Sequence, residues 1–449
     1  METDIRLLSL EPIITDAILR TPLKFGTGVV HTATSCEVRA TVENRRGEVA
    51  EGRGHILLSV FWGFPSATLT FEARDTAMRR VAERFCDLLL ENAHFGHPLD
   101  LYLEAKPELP RLAAEVDAEL GLTDPMPLLG ALVCASPADA ALHDAFGNVN
   151  GICSYDGYGP EHMTHDLSRY LGPAFAGKYI SDYLHSAYKP TLPIFHLVGG
   201  LDRLTRGEVT PEDPQDGLPV SLEGWIARDG LRCFKVKLRG NDIDWDVART
   251  KAVAQVIVAT YERLGITDAF HLSTDSNEMN ESPDTVVEYL HKLREASPLA
   301  FDRLLYLEQP TERDLTARRF DLRPVAALKP VVVDEGVTDT DKLDLAMSLG
   351  WSGVGLKTCK GHSSTLLYVA KAREAGMVVT FQDLTNPGLS LIHEAGFAAR
   401  IDTLMGFEYN ARQYLPHLYP EIQADHPSLF TVKDGMVRTG TLGPTGLGY

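Results

Sequence analysis

Six sites in the second half of the chain carry residue types that could act together: Lys235-Val236-Lys237, Asp275-Ser276-Asn277, Glu308-Gln309-Pro310, Asp334-Glu335-Gly336, Lys357 and Glu408. Three carboxylates brought to one point would repel and raise each other's pKa, and a bound cation resolves that. With no Cys or His among them the donors are all oxygen, which selects a hard ion. Three carboxylates with room for water and substrate suit octahedral Mg2+ better than Ca2+. Lys235 and Lys237 lie two apart, so on a strand both face the same way, with Lys237 nearer the end. A neighbouring cation lowers a lysine pKa toward a value useful in a base. Lys357 would approach from the opposite side. Two lysines flanking a metal-held carboxylate can take a proton from one face of its α-carbon and return one to the other. The metal would stabilise the enediolate that forms between these steps.

Such a site needs a scaffold that ends several strands at one height. From about residue 193 the chain alternates short apolar runs with helical segments. The runs are Pro193–Val198, Cys233–Leu238, Ala269–Thr274, Leu304–Leu307, Pro330–Val333, Gly353–Leu356, Met377–Phe381 and Leu404–Phe407. Helical patterns between them cover Trp245–Arg263, Thr285–Ala296, Thr340–Leu349, Ser363–Ala375 and Leu389–Arg400. Eight such units predict a (β/α)8 barrel, whose active sites lie at the C-terminal ends of the strands. An open doubly wound sheet would more often carry a glycine-rich phosphate turn, and no GxGxxG follows a strand here. Each chemical group above stands where an apolar run stops.

Ahead of the barrel, the first 130 residues read as α+β. Cys36–Glu51 alternates apolar and polar residues around Arg45-Arg46-Gly47, which predicts a hairpin. Helical spacing follows through Ala73–Glu91 and Pro110–Leu120, and a helix ending in glycine is expected over Ala138–Ile152. The expected organisation is a capping domain over 1–135, a barrel over 136–409 with an inserted region at 153–190, and a tail over 410–449 packing back on the cap.

The ordered set Lys-x-Lys, Asp-x-Asn, Glu-Gln-Pro, Asp-Glu-Gly and the later lysine resembles the enolase superfamily, in its mandelate racemase/muconate lactonizing branch. The resemblance spans nearly the whole chain and implies a modified TIM barrel with an N-terminal α+β capping domain. It implies Asp275, Glu308 and Asp334 as Mg2+ ligands and Lys237 and Lys357 as the acid/base pair. Lys235 would contact the substrate carboxylate or tune Lys237. Strand seven carries Thr380, Phe381 and Gln382 but no histidine, so the dual-lysine, muconate-lactonizing-like subgroup matches better than the racemase subgroup with its His-Asp dyad. Paired glycines, frequent a few residues after that later lysine, are replaced by Thr358-Cys359-Lys360-Gly361-His362. The Asp-x-Asp that dipeptide epimerases carry on the last strand is replaced by a strand ending Gly406-Phe407-Glu408, which disfavours a dipeptide substrate. The family places a lid near Phe25-Gly26-Thr27-Gly28; a plain β-turn is the alternative there. The expected reaction is racemisation or epimerisation of a small carboxylate, with a lyase or cycloisomerase as the chemical rival and a non-catalytic carboxylate binder as the remote one.

Ordinary readings stand beside these. Asp334 competes with Glu335 for the third ligand position, and Asp334 is preferred because alternation turns only one of them inward. Glu408 could assist the leaving group or oxyanion, or make a structural hydrogen bond, and Asn277 supports the metal site from behind. Lys360 and His362 are expected at the surface or in a loop, and His196 and His271 in the packed core. The formal net charge of −19 and the absence of any basic run disfavour nucleic acid and anionic membranes as partners. Six cysteines without CxxC spacing predict neither a disulfide framework nor a zinc site. No secretory leader or membrane span is read in the sequence, so a cytoplasmic protein is expected, and the family resemblance implies a homo-oligomer.

Overall fold

A computed structural model describes residues 1–25 and 28–449. The chain opens with an antiparallel three-stranded sheet of β1 (Ile5–Phe25), β2 (Gly28–Asn44) and β3 (Val49–Leu58). The expected hairpin is β2–β3, turning at Gly47 with φ +79°. The family's lid position, Phe25–Gly28, falls at the tip of β1–β2, and Gly26 and Thr27 lie outside the described residues. Helices Phe71–Glu91, Leu109–Leu120 and Leu128–Asn150 pack on one face of this sheet around Val38, Val42, Ile56, Phe85, Val116 and Leu132, all buried. Strand β3 meets the third helix through Gly52 and Gly54. A Cβ on either would stand about 2 Å from helix backbone, 2.1 Å from Ala145 N and 2.0 Å from Pro137 O.

The barrel is closed. Its eight parallel strands are β4 (Thr191–Val198), β5 (Cys233–Lys237), β6 (His271–Asp275), β7 (Leu304–Glu308), β8 (Val331–Val333), β9 (Gly353–Leu356), β10 (Val378–Phe381) and β11 (Phe407–Glu408), and β11 pairs back onto β4. Each strand overlaps an apolar run read from the sequence. Register sets the height of the chemistry, because Lys237 pairs with Asp275 and Asp275 with Glu308. Below the lysines the interior is plugged by Phe195, Cys233, Tyr306, Val332 and Met405, each at most 6% exposed. The barrel is therefore a packed core with one polar end.

Several contacts bind cap to barrel. The long β1–β2 hairpin is clamped by Arg20, whose guanidinium holds Asp216 at 2.5 and 2.7 Å and the carbonyls of Leu218 and Pro219 at 2.9 and 3.2 Å. Ala17, Leu23, Leu57, Leu197, Tyr414 and Leu415 form a small apolar cluster beside it. Residues 153–190 carry four short helical turns, Ser154–Gly157, Ser168–Leu171, Pro173–Phe175 and Ile180–Tyr183. Near the C-terminus, β12 (Met436–Arg438) lies antiparallel on the start of β4, and Leu447 N donates to Asp144 Oδ1 at 2.8 Å. The helix expected from Ala138 begins ten residues earlier, at Leu128. Its uniformly apolar first turns, with Pro137 inside, show no amphipathic period because every side is covered. Among the described residues no helix is long and apolar enough to cross a membrane, and all six cysteines are free and buried.

Candidate functional site

At the polar end of the barrel, strands β5 to β9 and β11 deliver the six sites predicted from the sequence to one buried cluster. Lys235 lies in its middle, with Nζ 2.7 Å from Glu308 Oε1, 3.1 Å from Asp275 Oδ2 and 3.3 Å from Glu408 Oε2. Burial alone would push this ammonium down, but Glu308, Glu408 and Asp275 outweigh it and hold Lys235 well above the ordinary lysine value. Lys237 bonds Asp275 and donates to Asn277 Oδ1 at 2.9 Å. Burial would raise Asp275, yet Lys237 and Lys235 pull it below the usual carboxylate range. Glu308 moves the other way: burial first, then Asp275, push it well above that range. Its second oxygen accepts Gln382 Nε2 at 2.6 Å.

Lys357 reaches the cluster from the far side. Its Nζ is 2.7 Å from Asp334 Oδ2 and 4.7 Å from the centroid of the Trp62 ring, which the cap inserts here. Burial opposes its charge, but Asp334 more than compensates and raises it. Asp334 is held low by Lys357 and Lys360 against its own burial. Gln309, with φ +29°, accepts N–H bonds from Asp334 and Gly336 at 2.9 and 3.1 Å and so fixes this turn. Asn277 and Glu278 also sit in left-handed backbone, at φ 45° and 70°, and such strain is kept where surroundings over-determine it.

Asp334 and Glu335 are both fully buried. Glu335 Oε1 accepts Trp62 Nε1 at 2.9 Å and Asn277 Nδ2 at 3.3 Å, and burial with Asp334 nearby raises its carboxyl to about 7. Lys360 and His362 correct the expectation of a surface or loop position. They are 1% and 0% exposed, Lys360 Nζ lies 3.1 Å from Asp334 Oδ1, and His362 bonds other buried side chains. Polar residue type misled there, because burial is decided by the cap packed over this turn. His196 is buried as expected, while His271 is partly exposed.

Among the described residues, no three His, Cys, Asp or Glu side chains converge as a ready-made cage. The three carboxylates are neighbours, as the spacing implied, but ammonium groups stand between them rather than a shared point. The donor chemistry nevertheless suits a hard ion. Neither oxygen of Asp334 accepts a well-directed hydrogen bond, and Glu335 Oε2 has no partner. Asp275, Glu308 and Asp334 with the adjoining Glu335 are the residues able to hold one.

Above this cluster a pocket opens, floored by Lys235, Lys237, Lys357, Asn277, Asp383, Glu408 and Asn410 and walled by the cap. Sequence reading missed three participants. Asp383 follows an apolar run just as the predicted carboxylates do, and the same strand-end logic would have found it. It accepts Asn410 Nδ2 at 2.7 Å and Asn410 N at 2.9 Å, and burial beside Glu408 raises it to about 7. Asn410 follows the last strand by two residues. Trp62 left no signal, because a cap residue's direction depends on how the two domains pack.

The chain matches no protein-family model and no curated protein sequence. Solved structures do resemble it. An L-Ala-D/L-Glu epimerase from Bacillus subtilis, in a substrate-liganded complex, superposes with TM-score 0.61 at 17% identity, covering 98% of both chains. A dipeptide epimerase from Enterococcus faecalis, complexed with Mg and the dipeptide L-Leu-L-Tyr, gives 0.61 at 16% over 99% of both. A mandelate racemase/muconate lactonizing protein from Herpetosiphon aurantiacus gives 0.57 at 16%, over 100% of this chain and 98% of that one. The chain has their fold: a capping domain on a closed (β/α)8 barrel.

Proposed function

We propose that this protein is an Mg2+-dependent enzyme of the enolase superfamily that removes the α-proton of a carboxylate substrate, with racemisation or epimerisation as the outcome. One observation carries the reading. Lys237 ends β5 and Lys357 follows β9, four strands apart in a ring of eight, and both line the same pocket. They approach one bound molecule from opposite sides, the arrangement a two-base exchange at one carbon requires. The dual-lysine subgroup is the one this pair supports.

Lys237 is aimed by Asp275 and Asn277, and Lys357 by Asp334 and the Trp62 ring. Each ammonium must release its carboxylate partner before it can act as a base, so a ligand that draws those carboxylates away frees the lysines. A divalent ion held by Asp275, Glu308 and Asp334 would supply charge to stabilise the enediolate oxygens. Lys235, on Glu308 and Glu408, fixes the spacing of those acids and presents positive charge to the substrate carboxylate. Elimination is the second reading, supported by Asp383. It lines the pocket and, with a carboxyl near 7, has the strength to protonate a leaving group.

The test is incubation with Mg2+ in D2O against a panel of carboxylates, read by mass. Solvent deuterium should enter at the α-carbon, falling by roughly 10^3-fold in Lys237→Ala or Lys357→Ala, each for one enantiomer. Loss of water instead would favour elimination. Exchange that persists in both variants would remove the lysines from the chemistry.

A further inference from the structure

The cap's contribution to the pocket differs in kind from the barrel's. Among the described residues the lining cations, Lys235, Lys237 and Lys357, all come from the barrel, and the cap supplies no charged side chain. It supplies Leu23 and Val30 from the hairpin, Leu57 from β3, and Val60, Phe61 and Phe71 beyond it. Phe61 and Phe71 stack with ring centroids 5.8 Å apart at 30°. The Arg74 guanidinium covers Phe61, 5.2 Å from its centroid. It is pinned there by the carbonyls of Phe64 and Thr70 at 2.9 and 3.1 Å. On the hairpin side Phe61 meets bare backbone, since a Cβ on Gly28 would fall 2.5 Å from its ring. The aromatic wall is thus built and braced before any ligand arrives.

We infer that this wall selects the substrate class: a carboxylate with a single negative charge that carries an apolar, aryl-sized or branched aliphatic group. The inference rests on the proposed function only in seating the carboxylate over the lysines. Among the described residues a second carboxylate pointing into the cap would meet no lining cation, and a polyhydroxylated chain would find Thr32 and Ser59 as the cap's polar lining groups. Both would lose water without a replacement partner. An apolar group loses only unfavourable hydration.

Calorimetric titration with Mg2+ present, using 3-phenylpropanoate, glutarate and gluconate as probes, ranks the classes directly. Phenylpropanoate should bind about tenfold or more tighter than either competitor. That ratio should shrink to about threefold in Phe61→Ala and lie between in Phe61→Leu. The wild-type ranking alone decides the matter if a variant fails to fold. Glutarate or gluconate binding as tightly as phenylpropanoate overturns the inference, as does Phe61→Ala weakening all three equally. Apolar preference without α-exchange on any apolar acid would sink the proposed function and leave this inference standing. Exchange confined to acid sugars or dicarboxylates would do the reverse.

Discussion

Two of the molecule's buried polar clusters are built on opposite principles. The one at the barrel mouth mixes Lys235, Lys237, Lys357 and Lys360 with a larger number of carboxylates. It leaves acceptors unfilled on Asp334, Glu335, Gln382 and Asn410. The other lies behind β9, where helix Leu128–Asn150, helix His362–Glu374 and the 153–190 region meet. There Tyr158 Oη bridges His143 Nδ1 and His362 Nε2, both at 2.8 Å. His362 Nδ1 meets His393 Nε2 at 2.7 Å, and Ser363 joins His143 to Asp139. Both ring nitrogens of His143 and of His362 are used. Burial, aided by neighbouring histidines, pushes His362 well below the ordinary value and His393 to about 3, so these rings are neutral. A network whose hydrogen bonds are saturated and that faces no pocket specifies packing; an acceptor-rich, charged one lining a pocket suits ligand binding.

The sharpest way to break this contrast is Lys235→Met. It removes the cation that Asp275, Glu308 and Glu408 share, and should cost about 3–5 kcal/mol in urea unfolding. Mg2+ should restore much of that loss, adding more stability to the variant than to the parent. Indifference to Mg2+ would end the distinction. Acid comes next. His97 and His393, both held at about 3 against an ordinary 6.5, stay neutral in the folded chain while unfolded histidines take up protons. Their contribution is present above 6.5 and lost as pH falls, by about 1.4 kcal/mol each near pH 5.5. Replacing His393 with Gln should flatten that part of the stability curve by one histidine's share. Tyr158→Phe breaks the bridge and should cost about 1–3 kcal/mol, with no recovery in Mg2+ and unchanged turnover per folded molecule. The smallest effect concerns the mouth alone. Arg20→Ala unclamps the hairpin and should raise KM severalfold, equivalent to about 1 kcal/mol, with kcat nearly unchanged.

Much of the barrel could be read directly, because a strand buried on both faces is an apolar run and a catalytic strand ends in a polar residue. Gly353–Leu356 followed by Lys357 is legible for that reason, and so is Cys233–Lys237. What escaped depends on contact between domains. Lys360 looks like any solvated lysine until Asp334 and the cap enclose it, and Phe61 and Trp62 sit side by side yet serve a pocket wall and a lysine respectively. The first ten residues of helix Leu128–Asn150 hid for a different reason, since total burial erases the period that marks a surface helix.

The pairing of β12 with β4 has a consequence for how the chain is made. Strand β4 leaves the ribosome before the middle of the sequence, but its partners β11 and β12 are synthesised some two hundred residues later. Until then one edge of the nascent barrel stays open, and Asp144 waits for the amide of Leu447. Closure is therefore a late, long-range event, of the kind that slows folding and exposes an unpaired edge to misassembly. A barrel built this way closes only after Leu447 has emerged.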